Sequence, residues 1–169
     1  MFPREIPSAV SDLEAVQLQE LSLGKVVLEM GAHYGFSTIV LAQAAQLVHS
    51  VDWHMGDSMA GAGDNLLVFR ENLRRHGADQ SVVAHVGRFE DILPVFRTGF
   101  FDGCFIDGEH DRVSVDRDSQ LAFRVIKKGG WLAWHDYGRF DVKEVVDEFC
   151  GYLRTLPLVV DHVAWIVKE

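Results

Sequence analysis

Val26-Val27-Leu28-Glu29-Met30-Gly31-Ala32-His33-Tyr34-Gly35-Phe36-Ser37-Thr38 is the stretch on which the fold turns. Its first part, residues 25–29, is a short β-branched run and reads as a strand. Gly31 and Gly35 then mark a tight turn, and the residues from Ser37 to about Ala45 suit a helix. A strand passing through a glycine turn directly into a helix is the first half of a βα unit. The same alternation continues downstream. Leu47–Asp52 reads as a strand, His54–Gly63 as a glycine-rich loop, and Asp64 as the cap of a helix to Gly77. Ser81–Val86 is a third strand, followed by a short helix over Arg88–Phe96 limited by Pro94. Phe101–Ile106 is the fourth strand, and a helix from Val113 to Lys127 stops at Gly129-Gly130. Trp131–Trp134 is the fifth strand, Asp141 caps a helix to about Arg154, and Leu158–Val160 and Val163–Val167 close the chain as β segments. Upstream, Ser11-Asp12-Leu13-Glu14 has capping-box spacing for a helix that ends at Gly24. This order predicts an α/β class protein: a single doubly wound Rossmann-like domain over residues 1–169. Its sheet is mostly parallel, with helices on both faces and an antiparallel C-terminal strand.

The 169 residues are 48% hydrophobic and 24% charged, enough apolar material for a real core. Sixteen basic residues against 25 acidic ones leave a net charge of −9. That balance argues against nucleic acid or an anionic membrane as partner. The N-terminus lacks a secretory pattern, so a cytoplasmic location is expected. Cys104 and Cys150 sit in apolar surroundings and suggest no disulfide framework.

In an open parallel sheet, ligands bind beyond the carboxyl ends of the strands. Glu29, Asp52, Asp107 and the pair His135-Asp136 all fall at such ends. A dinucleotide fingerprint needs glycine where His33 stands, and no Gly-Lys-Ser/Thr follows to make a P-loop. A nucleoside lacking a diphosphate is the better ligand, with Asp52 placed to accept both ribose hydroxyls. Met55, Met59, Gly56, Gly61 and Gly63 suit either a substrate lid or an ordinary connection. Trp131, Trp134 and Trp165 read as core. If strands four and five pair, Asp107 and Asp136 end about 4.8 Å apart. Two such carboxylates need a shared proton, a basic partner or a cation, and no Lys or Arg stands beside either.

The ordered set of E-M-G-A-H-Y-G-F-S-T, V-D-W, I-D-G-E-H and K-K-G-G-W-L-A-W-H-D-Y resembles the class I S-adenosylmethionine-dependent methyltransferases. Within them it is similar to the macrocin O-methyltransferase and cephalosporin-hydroxylase-like branch, over about Val26 to Phe149. The resemblance implies Glu29, Gly31 and Gly35 around the methionine part of S-adenosylmethionine, with Ser37 and Thr38 meeting its carboxylate. It implies Asp52 on the ribose and Trp53 near adenine. Gly87-Arg88-Phe89 stands where the family contacts adenine; Arg88 departs from the usual small or acidic residue, and a solvated helix-start residue is an equal reading. Asp107 and Asp136 match positions that hold a divalent cation, Mg or Mn, with His135 as an uncertain third ligand; Asp107 also counts among the cofactor-binding positions. His110 matches a general base.

The function expected is therefore methyl transfer from S-adenosylmethionine to a hydroxyl of a small sugar-like or polyol-bearing metabolite, with a divalent metal as an optional aid. Two alternatives stay open: a non-catalytic S-adenosylmethionine-binding module, and a metal-dependent hydroxylase. About 24 residues precede the first strand, fewer than relatives commonly carry, which leaves room for a homo-oligomer in which a partner subunit supplies a wall.

Overall fold

The computed structural model describes residues 1–57, 61–139 and 141–169; Met59 of the expected lid lies outside them. The first helix, α1 (Asp12–Ser22), is capped as its sequence demands. Ser11 Oγ accepts from the Glu14 amide at 3.3 Å, and the Glu14 carboxylate accepts from the Ser11 amide at 2.7 Å. There follow β1 (Val26–Met30), α2 (Phe36–Ala42), β2 (Leu47–Asp52), the short strands β3 (Gly56–Asp57) and β4 (Gly61–Ala62), and α3 (Leu66–Arg75). The remainder is β5 (Val82–Val86), α4 (Phe89–Ile92), a 3₁₀ turn over Leu93–Val95, β6 (Phe101–Ile106), α5 (Arg112–Val125), β7 (Ile126–Trp134), α6 (Val142–Leu153), β8 (Leu158–Val160) and β9 (Val163–Val167).

Seven of these strands form one sheet in the order β5-β2-β1-β6-β7-β9-β8. β5 through β7 are parallel, while β9 runs antiparallel to both β7 and β8. The doubly wound expectation therefore holds, with an antiparallel hairpin at the C-terminal edge. Two clusters of buried side chains pack on the sheet, one built around Leu28, Met30 and Trp134, the other around Val27, Phe36, Phe69 and Trp131. Along β1, Val27 and Leu28 alternate between these clusters, as a period-two strand covered on both faces requires. Cys104 and Cys150 are buried free thiols within the first cluster. Among the described residues no helix is long and apolar enough to cross a membrane.

Three boundaries differ from the sequence expectation. The loop after β2 contains a small hairpin in which Gly56 pairs with Ala62. The helix after it is preceded by Asn65, with Asp64 Oδ1 accepting only from the Leu66 amide at 3.0 Å. The helix expected to reach Lys127 ends at Val125, because Ile126 already pairs with Phe101 and Phe100 donates to the Val125 carbonyl at 2.7 Å. Gly129 and Gly130 thus belong to an irregular early part of β7, where the register shifts between Phe101 and Gly103.

Candidate active site

The sheet order reverses between β1 and β6, so their carboxyl ends open a crevice. Gly31 stands at that point with φ +98°, and a Cβ there would lie 1.9 Å from the Asp107 carbonyl oxygen. No side chain fits, and the left-handed backbone also favours glycine. Gly31→Ala is expected to lose about 1–3 kcal/mol of stability through overpacking. A denaturant melt checks this, and a variant as stable as wild type would contradict the close approach. Gly35, also positive in φ, instead clears the Phe69 ring, which a Cβ would meet at 3.0 Å.

Asp52, at the end of β2, braces this turn. Its Oδ2 accepts from the amides of Ala32 at 2.7 Å and His33 at 2.9 Å, and its Oδ1 accepts from His54 at 2.6 Å. A carboxylate offers about four acceptor positions, so among the described residues three are in use here and one remains for a ligand hydroxyl. The sequence expectation had given both positions of a ribose diol to Asp52. His33, His54 and Asp136 hold φ of 47°, 59° and 54° just beyond β1, β2 and β7. Non-glycine residues in this region carry strain of about 1–3 kcal/mol each and collect at functional sites. His54 is buried, with Nδ1 2.6 Å from Asn65 Oδ1, which ties the β2 end to the start of α3.

A cavity of about 650 Å³ fills the crevice. Of the expected cofactor residues, Gly31, Asp52, Trp53, Arg88, Phe89 and Asp107 line it. The Arg88 guanidinium lies 5.3 Å from the centre of the Trp53 ring, a cation–π contact at the cavity wall. Glu29, Gly35, Ser37 and Thr38 do not line it. Ser37 and Thr38 are buried rather than presented to a ligand. Thr38 Oγ1 and Ser50 Oγ donate to Glu29 Oε2 at 2.5 and 2.7 Å, and burial pushes the Glu29 carboxyl up to about 7 against those bonds. These residues shape the turn from behind.

At the neighbouring strand ends, Asp107 and Asp136 flank His135. The buried His135 Nδ1 lies 3.2 Å from Asp107 Oδ1 and 3.3 Å from Asp136 Oδ2, and its Nε2 is 3.4 Å from Glu14 Oε2. Burial opposes charge on His135, yet the nearby carboxylates of Asp107, Asp136 and Glu14 outweigh it and push its pKa up to about 12. Arg139 Nη1 is 3.3 Å from Asp136 Oδ1. The basic partner that local sequence did not offer the two acids is thus His135 itself, with Arg139 three residues beyond Asp136. His135 serves both acids as a buried ion-pair partner. Among the described residues, Asp107, His110 and Asp136 bring one ligand atom each within 4.8 Å. Their two oxygens and one imidazole nitrogen suit Mn better than Mg.

His110 Nε2 sits 2.9 Å from Asp136 Oδ2. That hydrogen bond raises the His110 pKa above its usual value, against burial. For Asp136, burial opposes ionisation, but the hydrogen bond from His110 and the neighbouring His135 imidazolium prevail and hold its carboxyl well below the usual range. A carboxylate that orients an imidazole in this way fixes its tautomer and supports a proton acceptor.

A family profile described as a methyltransferase domain matches residues 28–137, which run from β1 to just past the His135-Asp136 pair. The chain belongs to the methyltransferase-domain family. Its architecture is that of the class I S-adenosylmethionine-dependent methyltransferases, as the sequence resemblance implied. The methyltransferase domain is similar in structure to the O-methyltransferase TomG from Streptomyces achromogenes, with a TM-score of 0.73, 20% identity, and coverage of 98% of this chain and 85% of that one. An O-methyltransferase from Bacillus cereus gives a TM-score of 0.73 at 20% identity, covering 98% and 86%. The cofactor-bound protein Rv0187 from MTB gives 0.69 at 26% identity, covering 99% and 84%. Among curated sequences, an uncharacterized protein of Acanthamoeba polyphaga mimivirus is 32% identical over 84 residues, 47% of this chain and 37% of that protein. The matched part of the methyltransferase domain thus corresponds to little over a third of that relative.

Proposed function

We propose that this methyltransferase domain uses S-adenosylmethionine to methylate a hydroxyl group of a small sugar-like or polyol-bearing metabolite. The observation that carries the reading is the His110–Asp136 pair, 2.9 Å apart at the strand ends beside Asp107, which itself lines the crevice. TomG, in complex with S-adenosylmethionine, and the Bacillus cereus enzyme, in complex with its demethylated product, are O-methyltransferases of the same fold. When bound, S-adenosylmethionine supplies a methyl group already activated on its sulfonium. The protein's task is then to align the acceptor and remove a proton. Gly31 and Asp107 let the cofactor approach the strand ends, Asp52 offers its remaining acceptor position to the ribose, and Trp53 and Phe89 offer ring faces to the base. Asp136 Oδ2 accepts a hydrogen bond from His110 Nε2, which leaves Nδ1, buried in this structure, as the nitrogen that would take the acceptor proton once the ligand is seated.

A divalent cation, Mn or Mg, would be held by Asp107, His110 and Asp136 and would lower the pKa of a bound hydroxyl. That role and the base role compete for His110. Turnover that survives exhaustive chelation assigns His110 as base; turnover restored only by metal add-back assigns it as ligand.

Calorimetric titration with S-adenosylhomocysteine tests the cofactor assignment. Wild type is expected to bind it in preference to NAD. Asp52→Ala, which removes a charged acceptor and unties the β1 turn, is expected to weaken binding by about 1.5–3 kcal/mol. Equal affinity of the two proteins, or tighter binding of NAD, would overturn the reading.

A further inference from the structure

Asp118 lies on α5 and its side chain is fully buried. Its Oδ1 accepts from Arg117 Nε at 2.9 Å, and its Oδ2 has no hydrogen-bond partner among the described residues. Burial raises the carboxyl to about 6 against the Arg117 contact. A buried carboxylate oxygen without a donor is rare in native proteins and calls for a physical reason. The surroundings of Oδ2 point to one. A Cβ on Gly108 would stand 3.6 Å from Asp118 Oδ2 and 2.7 Å from Phe89 Cε2, so glycine at 108 leaves the acid and the ring adjacent. Gly108 and Phe89 both line the crevice, as do Ser114 and Arg117 from the same helix as Asp118. Arg117 is anchored from the far side by Glu90 at 3.8 Å.

Behind this end of the crevice an aromatic face therefore adjoins a buried oxygen that, in the ionised carboxylate, can only accept. A flat heterocycle bearing an exocyclic amino group matches both. We propose that Asp118 Oδ2, reached past Gly108 as the Phe89 ring turns onto the ligand, accepts a hydrogen bond from the amino group of the cofactor's purine. The proposal rests on the cofactor reading above and deepens it: it makes Asp118 the residue that distinguishes a 6-amino from a 6-oxo purine. Such a residue has no local signal, since an acid within a helix reads as part of a solvated face.

The test compares S-adenosylhomocysteine with S-inosylhomocysteine, its 6-oxo analogue, by calorimetry on the full chain. Wild type is expected to favour the adenosyl ligand by on the order of 100-fold, because a 6-oxo group would face the carboxylate with a second acceptor. In Asp118→Asn, the carboxamide can donate to the 6-oxo group, and the ratio is expected to collapse to a few-fold or invert. Gly108→Ala, whose methyl group would close the gap beside Oδ2, is expected to reduce the same ratio and serves if Asp118→Asn does not fold. A wild-type ratio retained by a folded variant overturns the role of Asp118 while leaving the cofactor assignment standing. Wild type that binds neither nucleoside sinks both.

Discussion

A His135→Ala variant is expected to be about 3–5 kcal/mol less stable than wild type, because removing one member of a buried ion cluster strands its partners. Three carboxylates, from Asp107, Asp136 and Glu14, lie within 3.4 Å of the imidazole nitrogens. Without His135 they face one another, with only His110 and Arg139 to compensate Asp136. The pH dependence has a definite sign. The His135 pKa rises on folding from the ordinary 6.5, so its contribution is complete below 6.5 and declines as pH climbs towards about 12. Asp136 is depressed on folding, so its contribution is present above 3.8 and lost as pH falls below that value. The stability gap between wild type and variant should therefore be widest between 3.8 and 6.5 and should narrow on both sides. Urea melts run from below pH 3.8 to well above pH 6.5 measure it, and a gap independent of pH over that whole span would show that His135 contributes by packing alone.

The second large effect is on rate. His110→Ala is expected to slow methyl transfer by about 10²–10⁴-fold with cofactor affinity nearly intact, the range typical of a lost general base. Because the hydrogen bond to Asp136 raises the His110 pKa, the acid limb of the kcat/KM profile should lie above the usual histidine range. Asp136→Asn should shift that limb to lower pH as well as reducing the rate. Single-turnover measurements on an acceptor that wild type methylates would decide the matter. Unchanged turnover in His110→Ala would make the histidine a bystander.

The parts of this architecture that could be read from sequence are those with local causes. Leu47–Asp52 and Phe101–Ile106 are strands over those same residues because each places apolar side chains on both faces and carries an acid at its end or just beyond it. Acids at strand ends mark the edge of the sheet where the cavity opens, and six expected cofactor residues line that cavity. What could not be read depends on side-chain direction. Glu29 and Thr38 look available in the one-dimensional motif, yet Thr38 Oγ1 donates to Glu29 Oε2 inside the core. Glu14 looks like a simple capping-box acid. It performs that role with Oε2, while Oε1 accepts from the His162 amide 148 positions away at 2.8 Å. Asn65 has no motif, and its importance comes from the left-handed His54 that it holds. Ile126 was assigned to a helix because its pairing partner, Phe101, is distant in sequence.

The Glu14 bridge bears on how the molecule is made. One carboxylate on the first helix is shared by the tip of β7, through His135, and by the turn before β9, through the His162 amide. As the chain emerges from the ribosome, Glu14 must wait for most of the polypeptide before either partner exists. The βα units near β1 and β2 can pack while synthesis continues, because their contacts are short in sequence. The acid–imidazole cluster cannot. Its His135 and Asp136 arrive only with the end of β7, and the second Glu14 bond only with the turn before β9. A nascent chain therefore carries its crevice before it carries the full charge arrangement at the strand ends.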